Sequence, residues 1–101
     1  MPQELHKHRF RGVTSYNDGH VHRYLGRTNA NPDVPAHIHY MAGFTQMNDR
    51  HVHYFAVITS PKIETERGHY HYYRGVTRLA DGHVHYFQGA TSVYRRGENM
   101  Y

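Results

Sequence analysis

Six copies of one nine-residue unit restrict this chain to a small, repetitive fold. The units read HKHRFRGVT, HVHRYLGRT, HIHYMAGFT, HVHYFAVIT, HYHYYRGVT and HVHYFQGAT, beginning at His6, His20, His37, His51, His69 and His83. Each opens on a His-x-His pair, carries an aromatic residue or Met at its fifth position, and ends on Thr. All twelve histidines of the 101-residue chain fall in these pairs. Imidazole placement is therefore what the multiplication of this element preserved.

Each unit has the period-two pattern and the β-branched and aromatic enrichment of a strand. Positions 1, 3, 5, 7 and 9 put His, His, aromatic, Gly and Thr on one face, which a helix would scatter. Pair starts are separated alternately by short and long connectors, giving three larger repeats with periods of 31 and 32 residues. The chain is read as a single domain, 1–101, with repeats 6–28, 37–59 and 69–91 and a charged tail 92–101. The fold expected is all-β: a six-stranded antiparallel meander sheet or small barrel built from three hairpin repeats, with a β-solenoid as the alternative. Closing each hairpin over its five-residue connector sets His6 against Thr28, His8 against Gly26, Phe10 against Tyr24, Gly12 against His22 and Thr14 against His20. The same register pairs Met41 with Phe55 and Tyr73 with Phe87. Only Val57 breaks the run of glycines. The first strand is basic on its second face, at Lys7, Arg9 and Arg11, as a charge-protected edge would be.

Only 38% of the residues are apolar, and many of those are tyrosines. Against a conformational entropy of about 1–2 kcal/mol per ordered residue, such a chain is expected to complete its burial against another copy of itself. Absence of cysteine excludes disulfides and thiolate metal sites. No apolar run approaches the length of a membrane span. The opening MPQELHKHRF carries no recognisable secretory signal. The default expectation is cytoplasmic, with cell-surface or extracellular assembly left open.

Metal binding is the sharpest reading of the histidines. Two imidazoles at i and i+2 on a strand point the same way and can close on one ion, and neutral imidazole suits copper, zinc and nickel, with affinity trends favouring copper. The candidate ligands are His6, His8, His20, His22, His37, His39, His51, His53, His69, His71, His83 and His85. On a flat sheet the pairs at one end lie roughly 9–10 Å apart, so the missing ligands would come from a facing subunit, a tightly curled barrel or solenoid stacking. The bland alternative is a structural ladder in which each imidazole bonds the opposed Thr hydroxyl and packs over Gly. Asp18, Asp49 and Asp81, two residues before a His pair, are candidates to orient an imidazole or to shape turns.

Six near-equivalent pairs argue against an enzyme, whose active site is normally single; a His-ligated metal hydrolase or hydratase is the residual possibility. Nucleic-acid binding is disfavoured because the arginines are dispersed. No phosphate loop or nucleophile-elbow motif occurs, and no small-molecule substrate is inferred.

The elements GHVHRYLGRT, AHIHYMAGFT, RHVHYFAVIT, GHYHYYRGVT and GHVHYFQGAT, from about His20 to Thr91, resemble the YmaF family of small bacterial proteins with repeated His-x-His units. This chain departs from the pattern at Ala36 and Arg50, where Gly precedes other pairs, and at Val57. The resemblance implies the repeat and carries over no catalytic residue. The expected function is a self-associating β-repeat protein that binds transition metal through its His-x-His pairs. The rival is a metal-free subunit of a filament, tube or layer with His and Tyr at the subunit interfaces.

Overall fold

The period-two units do form strands, and they pair two by two. The computed structural model describes residues 4–16, 19–48, 50–80 and 82–95. Its strands are β1 (Leu5–His6), β2 (Arg9–Val13), β3 (Arg23–Arg27), β4 (Asn31–Pro32), β5 (Tyr40–Phe44), β6 (Tyr54–Ile58), β7 (Ile63–Thr65), β8 (Gly68–Tyr70), β9 (Tyr72–Val76) and β10 (Tyr86–Ala90). Three five-residue hairpins, β2–β3, β5–β6 and β9–β10, are the antiparallel repeats. Two short pairs, β1–β4 and β7–β8, flank them. The all-β expectation and the hairpin repeat hold, but among the described residues the strands form five separate two-stranded sheets, not a closed barrel.

The hairpins stand in a ring, with β3 beside β5, β6 beside β9 and β10 beside β2. They join through single main-chain bonds just beyond the strand ends. At one end Ser15, Gln46 and Arg78 donate to Tyr86, Arg23 and Tyr54; at the other Asn29, Ser60 and Ser92 donate to Tyr40, Tyr72 and Arg9. Each donor is the residue immediately after a repeat's Thr. The basic side chains of Arg9 and Arg11 are exposed on the outside of this ring, and their strand lies beside β10 rather than at the border of a wide sheet.

The predicted face survives and the predicted register does not. Phe10 faces Gly26 and Tyr24 faces Gly12, a slip of two residues from the aromatic-on-aromatic pairing expected. The other hairpins slip identically, with Phe55 opposite Gly43 and Tyr73 opposite Gly89. A two-residue slip leaves every side chain on its original face, so alternation alone could not distinguish the two registers. Space does. A Cβ on Gly26 would lie 2.7 Å from Phe10 Cζ, and one on Gly89 would lie 2.7 Å from Tyr73 Oη. The glycines exist because a ring lies across them.

That rule accounts for Val57. It faces Met41, the only unit with Met in place of a ring. A flexible thioether leaves room for the Val side chain that a ring would not. Met41→Phe alone should cost about 1–3 kcal/mol by overpacking, and Val57→Gly alone a similar amount. Together they should recover at least about 1 kcal/mol as coupling. A double-mutant cycle by urea unfolding measures this; strict additivity would show that ring and glycine do not select one another.

The inward faces build three layers: imidazoles at one end, an aromatic middle, and imidazoles at the other. The middle is Phe10, Tyr24, Met41, Phe55, Tyr73 and Phe87, with Val57 packed against it. The Tyr24 and Tyr73 hydroxyls meet at 3.0 Å, which satisfies both buried phenols. The outer face keeps its apolar side chains in solvent, Leu25 being 64% and Phe44 65% exposed. The monomer thus buries the imidazole face within itself, and the apolar opposite face is the one left outside.

Candidate metal centres

The histidines lie beyond the ends of the three hairpins, His6 and His69 within the short strands β1 and β8, and there they gather. The second His of every pair is held to the partner strand by that strand's Thr. Thr28 N–H donates to the His8 carbonyl at 2.9 Å, and its Oγ1 accepts the His8 N–H at 3.0 Å. The same exchange links Thr14 with His22, Thr45 with His53, Thr59 with His39, Thr77 with His85 and Thr91 with His71. Thr therefore serves mainly the histidine backbone, correcting the expectation that its hydroxyl faces the ring.

One group comprises His6, His8, His37, His39, His69 and His71, the other His20, His22, His51, His53, His83 and His85. Each residue offers one ring nitrogen, and within each group these atoms lie within 4.8 Å of one another. All six pairs of the repeat are used, three at each end of the ring of hairpins. The two groups are about 20 Å apart, six residues along a strand. No facing subunit is needed, because the curl of the ring removes the separation that a flat sheet would impose.

The arrangement is octahedral. In the first group every ring packs edge-to-face on all the others save one, at centroid distances of 4.6–5.2 Å. The pairs left out, His6 with His71, His8 with His37 and His39 with His69, are the three diagonals. In the second group the diagonals are His20 with His53, His22 with His83 and His51 with His85. Five neighbouring Nε2 pairs in the first group are 3.1–3.2 Å apart and five in the second are 3.1–3.3 Å apart. The centre of an octahedron lies at its edge divided by √2, here about 2.2 Å from each nitrogen, slightly beyond the zinc–imidazole distance of about 2.0–2.1 Å.

The tautomers are set from behind. A carbonyl can only accept, so each Nδ1 facing one carries the proton and leaves its Nε2 bare. His8 donates to Ser92 at 2.7 Å, His39 to Asn29 at 3.0 Å, His71 to Ser60 at 2.8 Å and His37 to Val34 at 2.8 Å. His22, His53 and His85 donate likewise to Gln46, Arg78 and Ser15. Apart from Val34, these acceptors are the residues that tie one hairpin to the next. One residue after each Thr therefore closes the ring through its N–H and aims a ligand through its carbonyl. Sequence reading missed these positions because the carbonyl is common to every residue type; the available signal was the Ser or Asn at four of them, whose side-chain oxygens accept the N–H of Tyr86, Tyr40, Tyr72 and Arg9.

Burial favours the neutral form of eight of these rings. Desolvation, then the neighbouring imidazoles His39, His37 and His69, lowers His6 from its ordinary 6.5 to about 3. Desolvation lowers His8 and His71 to about 3 and His39 to about 4, although each one's carbonyl partner opposes the shift. Desolvation is also the main cause of the lowered values of His22, His53, His69 and His85. The buried Nε2 of His85 has no hydrogen-bond partner. His6 differs from its neighbours: its Nδ1 has no partner, and its ring stacks on Tyr94 at 4.3 Å.

The family described as YmaF, spore germination protein GerY/YamF, matches residues 27–93. The chain belongs to this family. No curated protein and no solved structure matches it. The YmaF match takes in the pairs from His37 to His85, and the first hairpin precedes it. Within this YmaF chain, Ala36 and Arg50 have φ of 59° and 66°, close to the 82° and 81° of Gly19 and Gly82 at equivalent positions. The turns before His20, His37, His51 and His83 place this residue in the left-handed region, which Gly enters without cost and other residues only with strain. Asp18, Asp49 and Asp81 lie outside the described residues. A carboxylate that sequence reading did not single out, Asp33, lies 3.7 Å from both His37 Nδ1 and His69 Nδ1.

Proposed function

We propose that the chain binds two six-coordinate transition-metal ions, one in each histidine octahedron, and that the ions staple the three hairpins together. One observation carries the reading. His37 and His71 each commit their Nδ1 proton to a carbonyl, so their Nε2 lone pairs face one another at 3.1 Å. Two neutral acceptors at that distance repel unless a cation lies between them. A proton is a poor candidate, because burial holds His71 at about 3. A divalent metal satisfies both.

The cage favours ions that accept six nitrogens evenly, such as Ni(II), Co(II) or Fe(II). Zinc prefers four tetrahedral ligands and Cu(II) a tetragonal set, so geometry runs against the copper preference that affinity alone supplies. Six imidazoles leave no position for a substrate or an activated water. The proposed role is accordingly structural or metal-holding, without catalysis. The proposal extends to the family's described setting, spore germination, and to self-association through the outward Leu25, Phe44 and Tyr86.

Purification without a tag, followed by metal analysis, X-ray absorption and sedimentation, tests these points. The expected result is two ions per chain, each with six nitrogen neighbours at about 2.2 Å. No metal uptake at neutral pH, or a four-coordinate spectrum, would overturn the reading.

A further inference from the structure

We infer that Asp33 is the charge-compensating positioning residue of the first metal site, and that Lys62 is its competitor. The inference rests on the metal reading above. Six neutral imidazoles leave the double charge of a divalent ion unbalanced in a buried site, which is costly. A carboxylate behind a ligand imidazole offsets that charge and makes the ligand more basic. Asp33 Oδ1 stands 3.7 Å from the Nδ1 atoms of two ligands, His37 and His69, which occupy adjacent corners of the octahedron. The His37 Nδ1 proton goes to Val34, so the carboxylate acts on these two ligands through its charge rather than through a hydrogen bond.

Lys62 reaches the same oxygen at 3.2 Å and Glu64 at 2.9 Å. Together with Gly68, His69 and Tyr94, these three side chains line a cavity of about 300 Å³ that opens against the ligand His69. Without metal, Lys62 neutralises Asp33. Once an ion is bound, the ammonium competes with the imidazoles for the carboxylate and adds a positive charge beside a cationic centre. Glu64 draws Lys62 away from that position. The Lys62 ammonium, 3.2 Å from Asp33 Oδ1, favours the ionised carboxylate.

Neighbouring residues then act with opposite signs, which a merely structural role would not produce. In a Co(II) titration followed by proton NMR, the hyperfine-shifted imidazole Nδ1–H resonances report each site separately, and the second site serves as an internal control. Asp33→Asn is expected to weaken the first site by about 10–100-fold and leave the second unchanged. Lys62→Met is expected to tighten the first site several-fold, and Asp33→Glu to restore part of the loss. An Asp33→Asn titration identical to wild type, or both variants shifting the first site in the same direction, would overturn this inference alone. Wild-type protein with no shifted resonances would overturn the metal reading and this inference together.

Discussion

Removal of metal by a strong chelator is expected to lower the melting temperature by more than about 30 °C, with full recovery on adding back Ni(II). The interior explains the size of the effect. Among the described residues the central apolar cluster is Phe10, Tyr24, Met41, Phe55, Tyr73 and Phe87, of which one is a methionine and two carry hydroxyls. Both ends of the same interior are filled with imidazoles, among them His8, His22, His53, His71 and His85 at 0% exposure. Imidazole contributes little hydrophobic driving force, and here it faces other imidazoles lone pair to lone pair. An ion at 1,000 times its dissociation constant adds about 4 kcal/mol of stability, so two ions add about 8 kcal/mol. A domain of this size holds about 5–15 kcal/mol in all. Each kcal/mol moves the melting point of such a domain by roughly 4–8 °C. Differential scanning calorimetry with and without chelator reads the shift; a change below about 5 °C would mean that hydrogen bonding and aromatic packing alone hold the hairpins.

Much of this was legible in the sequence, and the limits have physical causes. Alternation fixed which side chains share a face: His6, His8, Phe10 and Thr14 are all buried. It could not fix register, because a slip of two preserves the face. The deciding information was steric, the closeness of Phe10 to Gly26 and of Tyr73 to Gly89. Pairing the histidines into chelating units was equally legible. Grouping them was left open among a facing subunit, a tightly curled barrel and solenoid stacking, and it is the curl of the ring of hairpins that brings three pairs together at each end. The ring itself depends on main-chain bonds from Ser15, Asn29, Gln46, Ser60, Arg78 and Ser92. Four of them, Ser15, Asn29, Ser60 and Ser92, also accept the N–H of the facing strand residue on a side-chain oxygen, a signal in residue type that the Gln46 and Arg78 positions interrupt. Asp33 escaped notice for a related reason: it lies outside the repeat, on a connector, and meets His69 only through the fold.

Metal-free protein is expected to unfold in mild acid, with a midpoint between about pH 4.5 and 5.5, and saturating metal is expected to move that midpoint lower. The sign follows from the direction of the shifts. An unfolded histidine titrates near 6.5, whereas His6, His8 and His71 titrate at about 3 and His39 at about 4 in the folded chain. Between these values the unfolded chain binds protons that the folded one refuses. Stability is therefore fully present above about 6.5 and declines as pH falls toward the folded values. Each such histidine removes about 1.4 kcal/mol per pH unit, and these four together remove roughly 5 kcal/mol per unit. His22, His53, His69 and His85 shift in the same direction and steepen the decline. One to two units of acidification then consume the whole stability of a domain this size. Bound metal opposes the change because protons must displace it from Nε2 before the rings can charge. Circular dichroism across pH 8 to 3, with and without Ni(II), measures both midpoints. Metal-free protein that keeps its fold at pH 4 would show that these imidazoles are not held buried and neutral, and coincident midpoints would show that the ion does not bind at Nε2.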